Sequence, residues 1–251
     1  MTAAVVASEP GETRIRVTPS AGIEAGPASL SIEARMPVEF SLAQGEVLNL
    51  EAAGSGDLTG TRIESVDGNV PFGVFVGHEA AGLVDSRAAG GGCCADHLEE
   101  QLFPASTWGR SFALARTAPR PDANRGGEPV ADMLRILAQK NNTTISFDPP
   151  PAAGNCPTLT AGQYCDVFVD GDTELQATAP ILVGHFLLSA GNGQIGGNPL
   201  GDPGLAFAVP TEQFREDYIF LTPDEYEAQY VAIVANRGAS VTLDEREVSE
   251  Q

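Results

Sequence analysis

The densest cluster of polar side chains lies in residues 93–101, which read CCADHLEEQ. His97, with Asp96 and Glu100 beside it, could ligate a metal ion or form an acid–base pair, because imidazole and carboxylate groups serve both roles. The alternative is a disulfide-anchored turn, in which Asp96 caps a short helix over residues 96–102 and His97 bonds the backbone. The structural interpretation is favoured, so His97 and Asp96 are only weak metal-ligand candidates.

A second group of carboxylates surrounds the turn at Gly171, where Asp170 and Asp172 follow Asp166. The segment lacks the twelve-residue calcium loop, because no glutamate follows at the required offset. A solvated turn is therefore predicted, with a loop calcium site at Asp170 and Asp172 as the alternative.

Signatures of catalysis are missing from the sequence. It holds no Gly-X-Ser-X-Gly elbow, no phosphate-binding loop and no dinucleotide fingerprint. The other two histidines, His78 and His185, each follow a glycine at the end of an apolar run and are interpreted as packing residues. The sequence therefore predicts a non-enzymatic protein without a cofactor.

Four cysteines, Cys93, Cys94, Cys156 and Cys165, indicate the compartment. A small, even number in a loop-rich chain favours two disulfides and an oxidising environment. Three pairings remain open. A zinc site would require two spaced pairs, which this pattern does not provide.

The chain is strongly acidic, with 34 Asp and Glu against 14 Lys and Arg and a net charge of −20. Such a field repels nucleic acid and keeps a secreted protein soluble. No apolar stretch is long enough for a membrane-spanning helix. Residues 1–10 lack the basic start and apolar length of a signal peptide, so the chain is expected to be part of a longer exported protein.

Apolar and polar residues alternate along most of the chain, which predicts β-strands. Clear examples are residues 13–18 (TRIRVT), 38–42 (VEFSL) and 61–65 (TRIES). The 28 glycines and 18 prolines indicate many turns between strands. Short helices are predicted at 210–215 and 223–228, and glycine-rich loops at 86–92 and 191–204.

The sequence repeats itself. Residues 143–149 (TTISFDP) resemble 13–19 (TRIRVTP), and two runs ending in Gly-His, at His78 and His185, look like copies. A third copy is predicted to begin at residue 238. These similarities divide the chain into a flexible lead-in at 1–12, a first β-meander unit at 13–140, and a second unit with the start of a third at 141–251.

Several motifs resemble the IgG Fc-binding protein N-terminal domain family, in its bacterial cell-surface form. The resemblance covers about residues 35–250 and is carried by 57–63 (DLTGTRI), 75–78 (FVGH), 94–101 (CADHLEEQ), 104–109 (PASTWG), 220–223 (FLTP), Tyr226, Tyr230 and 241–244 (VTLD). It implies that 111–116 and 133–137 are strands, although the composition of 130–138 favours a helix. Ala80 stands where the mucus members of the family carry a cysteine, so their local disulfide cannot form here.

Together these features predict an all-β fold of repeated antiparallel meanders, in a sandwich or propeller-like arrangement with a few short surface helices. The predicted function is non-catalytic binding or adhesion at a cell surface, with a protein or glycan as partner. A structural repeat that self-assembles into a filament or coat is the alternative, and a metal-dependent hydrolase is disfavoured. Binding is expected at Phe103, Trp108 and the 191–204 loop, with Trp108 also interpreted as a core anchor.

Overall fold

The computed structural model describes residues 1–27, 30–68, 70–85, 87, 94–122, 128–189, 202–222 and 229–248, and these are mostly β-structure. The all-β prediction is confirmed. The strands in chain order are β1 (Thr2–Val6), β2 (Glu12–Thr18), β3 (Val38–Ala43), β4 (Val47–Glu51), β5 (Arg62–Ser65), β6 (Gly73–Ala81), β7 (Asp96–Gln101), β8 (Gly109–Leu114), β9 (Pro121–Asp122), β10 (Glu128–Pro129), β11 (Asp132–Ala138), β12 (Ile145–Asp148), β13 (Ala153–Gly154), β14 (Tyr164–Val169), β15 (Thr173–Leu187), β16 (Gly204–Phe207), β17 (Val241–Leu243) and β18 (Arg246–Val248).

The strands pair antiparallel into a few sheets. One sheet has the order β4–β1–β6–β7, and β3–β2–β5 forms a smaller sheet. The largest sheet runs β12–β15–β11–β14–β13, and β8 and β16 also pair with the long strand β15. The antiparallel sheets of the fold pack over apolar cores, which is consistent with a sandwich.

Strand alternation explains how these sheets bury a core. On β2, Thr13, Ile15 and Val17 are buried while Arg14 faces solvent. Burying each such apolar side chain stabilises the fold by roughly 1.5–3 kcal/mol. The first core gathers around β1 and β2, and a second gathers around β11, β14 and β15.

The two larger sheets share one strand order. Strand β1 lies between β4 and β6, and β7 pairs with the far side of β6. In the same way β11 lies between β14 and β15, and β16 pairs with β15. The chain therefore contains two topologically equivalent units, which are called unit 1 (β1–β7) and unit 2 (β11–β16) below.

Equivalent turns connect equivalent strands in the two units. Gly45 and Gly162 both adopt left-handed backbone conformations, with φ of 82° and 79°. The amide of Gly45 donates to the carbonyl of Ala7, and the amide of Gly162 donates to the carbonyl of Ala138. Ala7 in unit 1 thus corresponds to Ala138 in unit 2.

This correspondence corrects the interpretation of the two Gly-His motifs. Ala3 and Leu134 each lie four residues before the matched alanines, and they pair with Val76 and His185 respectively. Val76, rather than His78, occupies the position of His185. The two histidines are therefore two residues out of register, because the sequence similarity compares letters and not strand pairing.

The predicted division into 1–12, 13–140 and 141–251 stays a prediction about sequence units. Residues 2–6 of the lead-in form the central strand β1. Residue 140 falls between strands of one sheet, since β11 precedes it and its partners β14 and β15 follow it.

The predicted helix at 96–102 is wrong, because Asp96–Gln101 forms strand β7 against β6. Leu98 is buried at this pairing, and a Cβ atom on Gly77 would overlap the carbonyl oxygen of Leu98. The long-range pairing therefore outweighs a weak helical preference and a capping signal.

Other local predictions have mixed outcomes. The strand expected at 133–137 is confirmed by β11, and the strand expected at 111–116 is confirmed by β8 as far as Leu114. The helix predicted at 210–215 is a single 3-10 turn at Thr211–Gln213. The helix predicted at 223–228, and most of the loops at 86–92 and 191–204, lie outside the described residues. Across the described ranges, no helix is long and apolar enough to span a membrane.

Disulfide bonding settles one of the open pairings. Cys156 pairs with Cys165 across a separation of nine residues, with their Cα atoms 5.2 Å apart. Both cysteines pack at the second core. Cys94 is also disulfide-bonded, whereas Cys93 lies outside the described residues.

Replacing Cys156 and Cys165 together by alanine is expected to lower the free energy of unfolding by about 2 kcal/mol, because the unfolded chain loses a short cross-link. Urea unfolding of the variant and of the oxidised parent, followed by circular dichroism, measures the difference. A variant as stable as the parent would contradict this assignment of the disulfide to fold stability.

Candidate binding surface

The most prominent surface feature is a short aromatic turn that follows an edge strand. Strand β7 lies at the edge of its sheet and beside β16 of unit 2. The chain then turns through the 3-10 helix Ala105–Thr107 and enters β8. We call residues 103–108 (FPASTW), together with Phe207 on β16, the aromatic turn.

Hydrogen bonds within the aromatic turn fix its shape. The indole Nε1 of Trp108 donates to the carbonyl of Phe103 at 3.2 Å. The hydroxyl of Thr107 donates to the carbonyl of Pro104 at 2.8 Å. Both aromatic residues are therefore held by the same backbone turn.

Side chains from distant parts of the sequence brace the turn from outside. The amide groups of Gln139 and Gln213 donate to the carbonyls of Ala105 and Thr107, respectively. These two glutamines lie after β11 and in the 3-10 turn at Thr211–Gln213. Because the carbonyls of the turn are already bonded, the turn is organised without a ligand.

A glycine allows the 210–213 segment, which carries Gln213, to approach β8. A Cβ atom on Gly109 would overlap the ring of Pro210, so only glycine fits there. One residue later, the backbone amide of Arg110 donates to Glu212 at 3.1 Å. These contacts bind the 210–213 segment against the end of the aromatic turn.

The aromatic side chains are neither fully buried nor fully exposed. Phe103 is 38% exposed, and its ring centroid lies 6.1 Å from that of Phe207 at an interplanar angle of 56°. Trp108 is half-buried. A tilted ring pair that stays partly exposed can pack against an apolar group of a partner.

Charged side chains lie exposed on β7, the strand that precedes the aromatic turn. Asp96 accepts a hydrogen bond from the backbone amide of His97 at 2.7 Å, and His97 Nε2 lies 3.2 Å from Glu99. The side chains of His97 and Glu99 are 59% and 52% exposed. Burial raises the pKa of Glu100 above its usual value. The edge strand that leads into the aromatic turn is thus polar.

The four metal-ligand candidates lie in two separate places. Asp96 and His97 lie on β7, whereas Asp170 and Asp172 lie at the turn between β14 and β15. Asp170 forms an ion pair with Arg87 at 2.9 Å, and Asp172 accepts a hydrogen bond from the backbone of Arg116. Among the residues that the structure describes, no group of three or more His, Cys, Asp or Glu could hold a metal ion. Calcium binding stays a prediction.

Sequence reasoning missed a buried carboxylate, Asp132, at the start of β11. Its side chain is 2% exposed and accepts hydrogen bonds from the amide and hydroxyl of Thr117, at 2.7 and 2.6 Å. His185 Nε2 lies 2.9 Å from Oδ2 of the same carboxylate. Burial alone would raise the pKa of Asp132, but these hydrogen bonds hold it below its usual value.

Sequence reasoning also missed the contact between the two units, which centres on Arg135 of β11. Its guanidinium makes two hydrogen bonds of 2.8 Å to Asp166 and others to Asp57 and Thr59 of unit 1. It also lies over the ring of Tyr164, 4.4 Å from the centroid. Burial alone would lower the pKa of Arg135, but its bonds to Asp166 and its attraction to Asp57 raise it.

The same junction brings the backbones of the units together. Gly60 adopts a φ of 90°, and a Cβ atom there would overlap the carbonyl oxygen of Gly162. The hydroxyl of Tyr164 donates to Asp57 at 3.0 Å. Burial would raise the pKa of Asp57, but hydrogen bonds from Thr59 and the charge of Arg135 lower it. A cavity of about 370 Å³ opens beside these groups.

Comparisons with known proteins give one result. A family model described as IgGFc binding protein matches residues 1–251, which is the whole chain. Comparison with the curated proteins and with the solved structures finds no match.

Proposed function

The chain belongs to the IgGFc-binding protein family, and on that premise we propose that it is an extracellular, non-catalytic domain that binds a protein at a cell surface. The observation that carries this proposal is the aromatic turn, with its exposed Phe103 and its internal hydrogen bonds. Aromatic residues concentrate binding energy at protein interfaces.

Rigidity supports binding rather than a structural role for the turn. Gln139 and Gln213 brace it from outside. A turn that is already ordered loses little conformational entropy when a partner docks, which favours affinity. The disulfide Cys156–Cys165 supports an extracellular location.

The electrostatics favour a partner with a neutral or basic surface. The net charge of −20 repels nucleic acid and acidic surfaces, and Glu99 adds negative charge on β7, the strand that precedes the turn. The family description names the Fc region of IgG, so purified Fc is the first probe. Surface proteins and glycans of the host or of neighbouring cells form the second panel.

Replacing Phe103 by alanine is expected to weaken binding to Fc, or to the partner that the panel identifies, by about tenfold or more, because it removes the exposed ring of the turn. Surface plasmon resonance with immobilised partner measures the affinity. Trp108→Ala should weaken binding further, since it also removes the indole bond that shapes the turn.

Phe220→Ala is the matched control, because Phe220 is 49% exposed and lies outside the turn. It should leave the affinity unchanged. If Phe103→Ala folds normally and binds like the parent, or if Phe220→Ala is equally defective, the aromatic turn is not the binding site.

The repeated topology favours a second candidate, a structural module that assembles into a filament or coat. That function predicts ordered oligomers that light scattering detects. A monodisperse monomer over a wide range of concentrations would count against it.

A further inference from the structure

The segment from Tyr230 to Val234 exposes more apolar surface than a strand-forming sequence usually does. Tyr230 is 74% exposed, Val231 44%, Ile233 43% and Val234 38%. Within residues 229–248, the regular structure is the hairpin β17–β18. Exposed apolar clusters of this kind on a soluble protein mark an interaction surface.

The sequence of this segment matches the central strands of units 1 and 2. Residues 230–235 read YVAIVA, where unit 1 has TAAVVA at 2–7 and unit 2 has MLRILA at 133–138. The matched alanines at the ends of the latter two are those that bond the glycine turns. The segment thus has the sequence of a third central strand.

The match predicts which side chains of the segment should be buried. Val5 of unit 1 and Ile136 of unit 2 are both fully buried, and both correspond to Ile233. Ile233 is nevertheless 43% exposed. The segment therefore has the sequence pattern of a core strand, and among the residues that the structure describes no strand pairs with it.

The position of the segment also repeats an arrangement seen between units 1 and 2. Asp57, in the loop between β4 and β5, contacts Arg135 on the central strand of unit 2. In unit 2, Asp172 occupies the corresponding turn between β14 and β15, and it lines a cavity of about 460 Å³ together with Ile233 and Val234. The segment thus lies at the turn of unit 2 that corresponds to the loop of unit 1 against which unit 2 lies.

We propose that residues 230–235 form the acceptor strand of a third unit and bind an added antiparallel β-strand of the β6 type. The occupant follows from the register in both complete units, where the central strand pairs with β6 or with the equivalent part of β15. Strand addition satisfies backbone groups and buries alternate side chains, which is a known mode of peptide recognition. The side chains on the inward face are Val231, Ile233 and Ala235.

A synthetic peptide with the sequence of Gly73–Ala81 (GVFVGHEAA) is the probe, added to the full 251-residue chain. Saturating peptide is expected to slow hydrogen exchange of the amides at 230–235 by about tenfold or more, because they become bonded. The same peptide with proline in place of Phe75 should give no protection, since proline disrupts a strand ladder.

Two variants of the chain make the test specific. Ile233→Asp should abolish the protection, because it puts a charge on the inward face. Val248→Asp is the matched control, since Val248 is 39% exposed on β18, outside the acceptor strand, and it should retain the protection. Thermal unfolding checks that both variants fold.

Three results would overturn the proposal. The first is exchange at 230–235 that the peptide does not slow. The second is equal protection in Ile233→Asp, which would indicate binding elsewhere. The third is protection without peptide that rises with protein concentration, which would identify a second copy of the chain as the occupant.

Discussion

Replacing Asp132 by alanine is expected to lower the free energy of unfolding by about 3 to 5 kcal/mol, which is the range for removing one member of a buried polar network. The substitution leaves the amide and hydroxyl of Thr117 and the imidazole of His185 without their acceptor. Those groups belong to β15 and to the segment after β8, so the loss reaches both of these parts of the chain as well as β11, which carries Asp132. Urea unfolding at neutral pH measures it.

The same carboxylate should make stability depend on acid. Because the folded-state pKa of Asp132 lies below its usual value, its contribution is fully present above the unfolded pKa of about 3.9 and is lost as pH falls through the folded pKa. The difference in stability between the parent and Asp132→Ala should therefore narrow as the pH falls below about 4. A difference that stays constant into this range would show that the ionised carboxylate is not its source.

Asp67→Ala provides the control for Asp132→Ala. Asp67 pairs with Arg14 at the surface, where each side chain is 44% exposed, and its removal should cost less than about 1 kcal/mol. If Asp132→Ala were no worse than this control, the buried network would not stabilise the fold.

Strand alternation is the part of the fold that the sequence predicts well. It is local, because successive side chains point to opposite faces, and residues 13–18 show it in six letters. Residues 96–101 show where local reasoning fails. Asp96 and the acidic residues after it are typical of the start of a helix. Pairing with β6 nevertheless makes the segment a strand, and local patterns do not identify β6 as its partner.

The buried polar groups could not be predicted for a related reason. Asp132 and His185 are 53 residues apart and meet only because β11 pairs with β15. The signal that could have drawn attention to Asp132 and Arg135 is a pair of charged residues inside an apolar run. Their partners depend on strand register. Short sequence similarities do not reveal that register, as the misaligned Gly-His motifs show.

The aromatic turn lies between these cases. Phe103 and Trp108 could be selected from the sequence, because aromatic residues in a Pro-containing loop are typical of binding surfaces. Gln139 and Gln213, which brace the turn, could not be selected, since neither is near it in the sequence.

Replacing Arg135 by alanine is expected to lower the free energy of unfolding by about 3 kcal/mol, because Asp57 and Asp166 are left partly buried without their counter-charge. The side chain of Arg135 is 20% exposed, which places the pair between surface and buried ion pairs. Arg135→Lys should recover part of the loss, since an ammonium group keeps the charge but cannot make the two parallel bonds to Asp166. Urea unfolding of the three proteins measures both effects.

Arg16→Ala is the matched control, because Arg16 also lies on a strand and bonds a carboxylate, Glu39, but is 41% exposed. It should lower stability far less than Arg135→Ala does. A double-mutant cycle between Arg135→Ala and Asp57→Asn then isolates the contact between the units. If Arg135 joins unit 1 to unit 2, the coupling energy should exceed about 0.5 kcal/mol and unfolding should lose cooperativity in the variant. Additive effects with a single cooperative transition would instead place the contribution of Arg135 within unit 2, at Asp166.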